Sequence, residues 1–393
     1  MMTSAPGSPR PSEEELVELL GTLVGIDSSN PWLVPDGAGE SAVARHMQEW
    51  LEEAGVPSSL DEYAPGRTNL RASVRGARPG PTLLVNAHLD TVGYATWADA
   101  ALTPRRDGER LVGLGAADNK AGCAVALLLL RALAAEADRL AGTFSVAFVA
   151  DEEGLSTGTE RLLEEGDVDY CMVLEPVTFP SVVVEHQGFG WVDVTVRGRA
   201  AHGSAPDEGI DAIVRLSEVL ARLHEHDEEA FGPTSARVSG RTVFHASTIR
   251  GGTDYATYPS EATVGIEIGT QPGEHLGDRL AEIEEILRVV RRRFPDLDAS
   301  VAVRVERDPF LAEGHGPMLD ALNATALAQL GRGVEPKGLN AWTDAALVQA
   351  AGVPTVLLGP TGGNLHAPEE WVSIPDTLRL YDLLLGAVRL LLA

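Results

Sequence analysis

Short apolar segments alternate with helical stretches along the first 187 residues, and this alternation strongly restricts the folds open to the chain. Ser12 and Glu15 form a capping box before the first helical stripe. Further helical periodicity lies at 42–54 and 121–133, and apolar strand candidates lie at 69–74, 82–86, 144–150 and 170–174. Buried strands that alternate with helices form an α/β domain, in which helices flank a mainly parallel sheet. We predict this fold class for the larger part of the chain.

The pattern changes near residue 188. Segments typical of half-exposed antiparallel strands lie at 191–196 and 262–268, and helical stretches lie at 210–223 and 276–292. Two helices on a small antiparallel sheet predict an inserted α+β domain at 188–306. The alternation of helices and buried strands then returns, with a helix at 318–330 and a strand at 354–358. The catalytic α/β domain is therefore predicted at 1–187 and 307–393, and a length of 393 residues also favours two domains.

One strand candidate ends in a histidine and an aspartate two residues apart. In PTLLVNAHLDTV the strand ends at His88 and Asp90 follows, and on an extended backbone this spacing turns both side chains to the same side. A metal-binding imidazole usually has its ring oriented by a partner such as a carboxylate. His88 as a ligand and Asp90 as its orienting group fit that need. Taken alone, the pair fits equally well a histidine and an aspartate that cap a turn, and further ligands elsewhere in the chain decide between the two.

Carboxylates follow other predicted elements in the same way. Glu152 and Glu153 follow one buried strand, Glu175 ends another, and Asp118 lies in a Gly-rich turn before a helix. In open α/β sheets, ligands bind at the carboxyl ends of the strands. Each acidic residue alone could be a helix N-cap or a solvated loop charge, whereas several of them at one edge indicate a binding site.

The candidate metal ligands are two imidazoles and three carboxylates, from His88, Asp118, Glu153, Glu175 and His366. This set suits two divalent ions, with zinc as the first choice and cobalt or manganese as alternatives. Asp118 is the predicted bridge; His88 and Glu175 complete one site, and Glu153 and His366 complete the other. A water molecule shared by two such ions has a lowered pKa and can act as the nucleophile.

Glu152 precedes a candidate ligand and is not itself a metal ligand in this prediction. A carboxylate beside the water that does not bind the metal can take the water's proton and later deliver that proton to the leaving amine. The sequence has no G-x-S-x-G elbow, and neither Cys123 nor Cys171 has an obvious histidine partner. It also lacks a P-loop and a dinucleotide-binding fingerprint. We therefore expect metal-assisted hydrolysis of a small-molecule substrate.

The charge balance excludes several classes of partner. The net charge is −27, with 58 acidic and 31 basic residues, which argues against nucleic acids and against anionic membranes. The two cysteines lie in apolar surroundings without a C-x-x-C pattern, as expected of a reducing compartment. The N-terminal residues lack the apolar segment of a signal peptide, and the apolar run at 121–130 is too short to span a bilayer. We expect a cytoplasmic protein.

Six motifs together resemble one enzyme family. HLDTV, GLGAADNKAG, DEEG, LEP, GRAAHGSAPDEGIDAI and the GP…HAPEE segment are similar to those of the di-zinc amidohydrolases. That family includes acetylornithine deacetylase, succinyl-diaminopimelate desuccinylase, aminoacylases, and related carboxypeptidases and dipeptidases. The resemblance covers the chain from about Glu13 to its end. It implies that the five candidate ligands and Glu152 have the roles given above.

The resemblance also implies that the inserted domain is a lid and dimerisation domain, and that the protein is a homodimer. The family places a histidine of this domain, often from the partner subunit, near the scissile carbonyl, and the matching residue is His202 in AAHGS. An imidazole there can stabilise the tetrahedral oxyanion. Without the family, His202 would be interpreted as a turn histidine.

The chain departs from the family where many members contact the carboxylate of the substrate. The expected Asn is replaced by Ala256, and the expected Arg by Gly269. Either the alignment is shifted and the anchor lies elsewhere, or the substrate lacks a free α-carboxylate at the usual place. Candidate substrate-binding residues are Arg250, Tyr255 and Tyr258, together with Gly362 and Gly363, whose loop can offer backbone N–H groups.

These observations predict a metal-dependent amidohydrolase that cleaves an amide bond of an N-acyl amino acid or a related small molecule. A dipeptidase or carboxypeptidase of the same family is the alternative, weakened by the missing Asn and Arg. A third possibility is a non-catalytic metal-binding relative, although such proteins usually lose a ligand or the base.

Overall fold

A computed structural model describes residues 10–164, 166, 168–230 and 240–393. The helices are α1 (Glu13–Val24), α2 (Ser41–Glu53), α3 (Ala121–Ala134), α4 (Thr157–Leu163), α5 (Ala212–Ala230), α6 (Leu276–Arg293), α7 (Gly316–Leu330), α8 (Ala345–Ala350) and α9 (Ile374–Leu391). The strands are β1 (Ser58–Ala64), β2 (Arg67–Arg75), β3 (Arg78–His88), β4 (Arg105–Asp107), β5 (Arg110–Val112), β6 (Ala141–Val149), β7 (Tyr170–Leu174), β8 (Ser181–His186), β9 (Gly188–Arg197), β10 (Val243–Gly251), β11 (Glu261–Thr270), β12 (Asp298–Arg307), β13 (Phe310–Leu311), β14 (Glu335–Leu339), β15 (Thr355–Leu358), β16 (Gly362–Gly363) and β17 (Trp371–Ser373).

The described residues divide into two compact units. The second unit comprises Glu185–Leu311 and Lys337–Ala346, and the first comprises the rest. The second unit thus includes 337–346, which the sequence analysis assigns to the catalytic domain. The contacts that hold this segment there include hydrogen bonds from Gln187 N–H to the Leu339 carbonyl (3.2 Å) and from Trp342 Nε1–H to the Asp308 carbonyl (3.1 Å).

The main sheet of the first unit confirms the predicted α/β class. Its strands run in the order β1-β2-β6-β3-β7-β15-β8. The four central strands β6, β3, β7 and β15 are parallel to one another, whereas the pairings of β1 with β2, β2 with β6 and β15 with β8 are antiparallel. Helix α3 packs against this sheet and against α1 and α9, and it is buried along nearly its whole length. Its sequence, apolar at all positions except Arg131, is explained by these contacts on several sides.

A small antiparallel sheet in the first unit joins two loops that are far apart in sequence. Its strands run in the order β16-β17-β5-β4, and Trp371 of β17 pairs with Val112 of β5. The pairing brings the loop after β16 beside the Gly-rich turn after β5. Both loops carry predicted metal ligands.

The second unit has the predicted α+β architecture, with a four-stranded antiparallel sheet in the order β10-β11-β9-β12. Along β9, Val192, Val194 and Val196 are buried with residues of α5 and α6, and the residues between them turn to the other face. The alternation of buried and partly exposed residues along the strand therefore indicates a sheet with helices on one face.

Most predicted elements are confirmed with shifts of one to a few residues, but some elements were missed. Strand β10 is exposed along most of its length, so its sequence lacks the apolar alternation that identifies a half-buried strand. Strands β1 and β12 and helix α9 are also absent from the elements predicted from the sequence. Residues 1–9, from which we predict the lack of a signal peptide, lie outside the described residues. Among the described helices, none combines the length and apolarity needed to cross a bilayer.

Candidate metal centre

The parallel centre of the main sheet gathers the polar residues that follow its strands. His88 ends β3 and pairs in register with Val149, which ends β6. Glu152 and Glu153 follow β6, and Glu175 follows β7 on the other side of β3. Because parallel strands end at the same edge of a sheet, these side chains converge there.

Two groups of donor atoms share Asp118. In the first group, His88 Nε2 lies 2.9 Å from Asp118 Oδ1 and 3.6 Å from Glu175 Oε2. In the second, His366 Nε2 lies 3.3 Å from Asp118 Oδ2 and 3.1 Å from Glu153 Oε2. Within each group, all donor atoms lie within 4.8 Å of one another. The structure thus brings together all five predicted ligands, with one oxygen of Asp118 facing each histidine.

Glu370 holds the turn that carries Asp118. Its Oε1 accepts the N–H groups of Ala117 (2.9 Å) and Asp118 (3.0 Å), and its Oε2 accepts that of Gly115 (2.9 Å). Glu370 is buried and lies four residues after His366, so it connects the two ligand-bearing loops. Glu370 is not among the site residues predicted from the sequence, although it belongs to the HAPEE motif.

The charges of the two groups shift their pKa values strongly. Burial lowers the pKa of the His88 imidazole, but the carboxylates of Glu175 and Asp118 outweigh burial and raise it well above 6.5. Hydrogen bonds with Asp118 and Glu153 raise the pKa of His366 to about 11. Burial raises the pKa of Glu175 to about 8, and burial together with the charge of Asp118 raises that of Glu153. Negative charge is therefore crowded here, a condition that bound cations relieve.

The donor set fits divalent metal ions. Imidazole nitrogens with carboxylate oxygens are the ligands of zinc and related ions. In addition, the buried Oε1 of Glu153 has no hydrogen-bond partner among the described residues, as expected for an oxygen that binds a metal ion.

Asp90, which follows β3, connects the end of that strand to the turn after β6 that contains Glu152 and Glu153 (the Glu152–Glu153 turn). Its Oδ1 accepts the N–H of Glu152 (3.1 Å), and its Oδ2 accepts the N–H of Glu153 (3.0 Å). His88 Nδ1 lies 3.0 Å from the backbone carbonyl of Asp90 and 3.6 Å from its carboxylate. The backbone carbonyl is thus the direct partner of the ring, and the carboxylate mainly fixes the turn that carries Glu152.

Comparison with known proteins identifies the family. The sequence model of peptidase family M20/M25/M40 matches residues 84–390, which is most of the chain. The chain belongs to this family. It is 30% identical to succinyl-diaminopimelate desuccinylase of Gluconacetobacter diazotrophicus, over 90% of the chain and 92% of that protein. It is 28% identical to carboxypeptidase G2 of Pseudomonas sp., over 91% of the chain and 85% of that protein.

The fold is also similar to solved structures. Aminopeptidase PepT from Bacillus cereus superposes with a TM-score of 0.79, at 21% identity, over 98% of this chain and 100% of that one. Membership of the M20/M25/M40 family confirms the resemblance found in the motifs and makes the protein a hydrolase of amide bonds. The family implies divalent metal ions, and the two donor groups are where this chain can hold them.

His202 lies in the second unit, exposed and with a defined ring orientation. Its Nδ1 lies 3.2 Å from the Ser204 N–H, which donates to it, and 2.8 Å from the Ser204 hydroxyl. Because Nδ1 accepts, the proton of the neutral ring is on Nε2, which is then a hydrogen-bond donor. His202 also forms an isolated bridge with Thr257, one residue after Ala256.

Two of the three substrate candidates of the second unit line one cavity. Arg250 and Tyr258 belong to a cavity of about 530 Å³ on the four-stranded sheet, which Arg197 and Arg304 also line. Tyr255 is fully exposed and does not line it. The Arg250 guanidinium is 69% exposed and lies 3.8 Å from Asp193, so it is accessible to a ligand.

Side chains crowd the position of Gly269, where the family usually has Arg. A Cβ added at Gly269 would lie 3.1 Å from Val243 Cγ2 and 3.2 Å from Gln187 Oε1, which is tighter than ordinary contact. The space that a side chain would use is thus occupied by Val243 and Gln187.

Gly362 and Gly363 lie in the first unit, in the short strand β16. A Cβ at Gly362 would approach Ala117 Cβ to 2.5 Å, next to Asp118, and a Cβ at Gly363 would meet the Trp371 indole at 2.7 Å. Both positions therefore need glycine for close packing. Their main contact in the described chain is the pairing with β17.

Proposed function

We propose that the protein is a metal-dependent amidohydrolase that removes the acyl group from an N-acyl amino acid or a related small molecule, with two divalent ions, most readily zinc. The observation that carries this proposal is the sharing of Asp118 by two donor groups, each with one histidine and one glutamate. Named relatives include acetylornithine deacetylase and succinyl-diaminopimelate desuccinylase, which supports deacylation as the reaction.

The chain supplies the acid–base group and its orientation. Divalent ions bound by the two groups would supply Lewis acidity and lower the pKa of a water molecule. Glu152 takes the proton of the attacking water on its carboxylate and delivers it to the leaving nitrogen. Asp90 accepts the N–H groups of Glu152 and Glu153 and so holds the backbone of the base beside that of a ligand. His202 Nε2–H donates to the oxyanion that develops at the scissile carbonyl.

The substrate class is tested by a hydrolysis panel on zinc- or cobalt-loaded protein. We expect turnover of N-acetyl or N-succinyl amino acids with a free carboxylate, which requires an anchor other than positions 256 and 269. Arg250 is the proposed anchor, because its guanidinium is exposed and carboxylates pair with Arg in a bidentate manner. Replacing Arg250 by Met should then raise KM for free acids by about tenfold or more, since charged hydrogen bonds contribute about 1.5–3 kcal/mol.

The same panel contains the α-carboxamide counterparts and dipeptides. Turnover of the amides alone would contradict a free-acid substrate and indicate that Ala256 and Gly269 mark a different substrate class. Preference for dipeptides would favour the peptidase alternative, which the similarity to carboxypeptidase G2 supports. Bound metal without any turnover would favour a binding protein.

We further propose that the second unit is the lid and dimerisation domain of a homodimer, and that His202 acts across the subunit interface. His202→Ala and Glu152→Gln should each be inactive alone. In mixed dimers, one of the two sites would combine an intact Glu152 with an intact His202. A fully exchanged equimolar mixture should therefore recover about a quarter of wild-type activity, half of the dimers being mixed with one intact site each.

Subunit mass from light scattering provides the control for that experiment. A protein that is monomeric and fully active would remove the dimer from the proposal. A dimer whose mixed variants stay inactive would show that His202 serves the site of its own subunit.

A further inference from the structure

We propose that Arg67 is a positioning residue for the Glu152–Glu153 turn, acting through Asn30, Glu40 and Asp151. This inference rests on the proposed function, because it concerns the general base and a metal ligand. Arg67 begins β2, and its guanidinium does not touch the donor groups described above. It is nevertheless joined to the Glu152–Glu153 turn by two separate routes.

The first route passes through the residue before the general base. Arg67 Nη2 donates to Asp151 Oδ1 (2.8 Å), and Thr157 Oγ1 donates to Asp151 Oδ2 (2.6 Å). Asp151 has a positive φ of 71°, a conformation that a non-glycine residue keeps only when its surroundings hold it there. Arg67 thus helps to fix the backbone from which Glu152 projects.

The second route passes through Asn30 and Asp90. Arg67 Nη2 donates to Asn30 Oδ1 (2.6 Å), and Asn30 Nδ2 donates to Asp90 Oδ2 (2.8 Å) and Asp151 Oδ1 (3.0 Å). Asp90 in turn accepts the N–H groups of the turn. Because Asn30 accepts from Arg67 with its oxygen, its amide nitrogen must face the two aspartates.

Glu40 completes the network and fixes the guanidinium itself. Its Oε1 accepts hydrogen bonds from Arg67 Nη1 (2.5 Å) and from the backbone N–H of Asp151 (3.3 Å). The side chains of Glu40, Asp151 and Arg67 are 0%, 4% and 12% exposed. Removing the cation would leave the Glu40 and Asp151 side chains buried without the partner they share, an unfavourable state that the turn can relieve by rearranging. A planar fork that contacts three groups at once is a property of Arg and not of Lys.

The test compares Arg67→Met and Arg67→Lys with a matched control. Arg389 lies on helix α9. Its guanidinium donates two hydrogen bonds to the buried carboxylate of Glu136, from Nη2 to Oε1 (2.6 Å) and from Nε to Oε2 (2.9 Å). Arg389→Met therefore removes an Arg side chain that also pairs with a buried carboxylate in the same unit, although it is 46% exposed instead of 12%, and that has no described contact with the turn. Each variant is measured for kcat and KM on the best panel substrate, for thermal midpoint, and for the visible spectrum of the cobalt-loaded protein.

We expect Arg67→Met to lower kcat by about 100-fold with little change in KM, because a displacement of about 1 Å can reduce turnover that much. Its cobalt spectrum should also change, since Glu153 moves with the turn. Arg67→Lys keeps the charge and should fold, but it should recover only part of kcat. Arg389→Met should lower the thermal midpoint and keep both kcat and the spectrum.

Two results would overturn the inference and leave the proposed function intact. One is a wild-type kcat and spectrum in Arg67→Met. The other is a loss of kcat that follows the thermal midpoint alike in Arg67→Met and Arg389→Met, which would mean a purely structural role. A wild-type protein that binds no cobalt would overturn the proposed function as well. If wild type binds cobalt but hydrolyses nothing in the panel, the spectrum still decides whether Arg67 positions Glu153.

Discussion

Replacing Glu152 by Gln is expected to lower kcat by about 10²–10⁴-fold, the usual contribution of a positioned general base. The amide has nearly the same shape but cannot take a proton, so KM and metal content should change little. The backbone N–H of residue 152 still donates to Asp90 Oδ1 in the variant, which keeps the turn in place. Steady-state kinetics with metal analysis on the same samples measures both effects.

Glu164→Gln is the matched control for this substitution. Glu164 is an exposed carboxylate directly after helix α4, and its Oε2 lies 3.3 Å from Arg161 Nη1 at the surface. It should keep the kcat of the wild type, because surface pairs of this kind contribute little. A Glu152→Gln protein with the wild-type kcat would exclude Glu152 as the base.

Replacing Asp118 by Ala should remove both metal ions and reduce activity to background. Its two oxygens lie 2.9 Å from His88 Nε2 and 3.3 Å from His366 Nε2, so each donor group loses one member. Glu175→Ala removes a ligand from one group only and should lose mainly one ion. Elemental analysis of the dialysed proteins gives the stoichiometry of each variant.

Thermal unfolding provides an independent measure of the same sites. A ligand present at 100 times its Kd stabilises the folded state by about 2.7 kcal/mol. Wild type should therefore unfold at a higher temperature with zinc than after chelation, and Asp118→Ala should lose this difference. An Asp118→Ala protein that still binds one ion tightly would contradict a shared ligand and leave two separate sites.

Much of the fold could be predicted because its elements carry strong local patterns. Strand β7 was predicted with its observed bounds, and α3 to within one residue, because both are buried and have long apolar runs. Strand β10 was missed because an exposed strand has no reason to alternate apolar and polar residues. Residues 337–346 were placed in the other domain because the partners that hold them are distant in sequence.

The candidate site divides in the same way. His88, Glu175 and the Glu152–Glu153 pair were recognised because each follows a buried strand, and parallel strands end at one edge. Glu370 and Arg67 were missed because they act through backbone N–H groups and through other side chains. Their sequence neighbours give no sign of those partners, which lie 252–255 and up to 84 residues away.

The sequence by itself determined the fold class and the types of ligand available to this M20/M25/M40 hydrolase. Hydrophobic periodicity and the chemistry of single residues are local properties, and they can be read without knowing what lies beside them. The sharing of Asp118 between the two groups was already predicted from the sequence; only the tertiary structure decided that Glu370 holds the turn that carries Asp118. It also decided that the Asp90 carboxylate holds the turn of the base. Those facts depend on the strand order β6-β3-β7 and on the pairing of β17 with β5, which are set by packing between segments far apart in the chain.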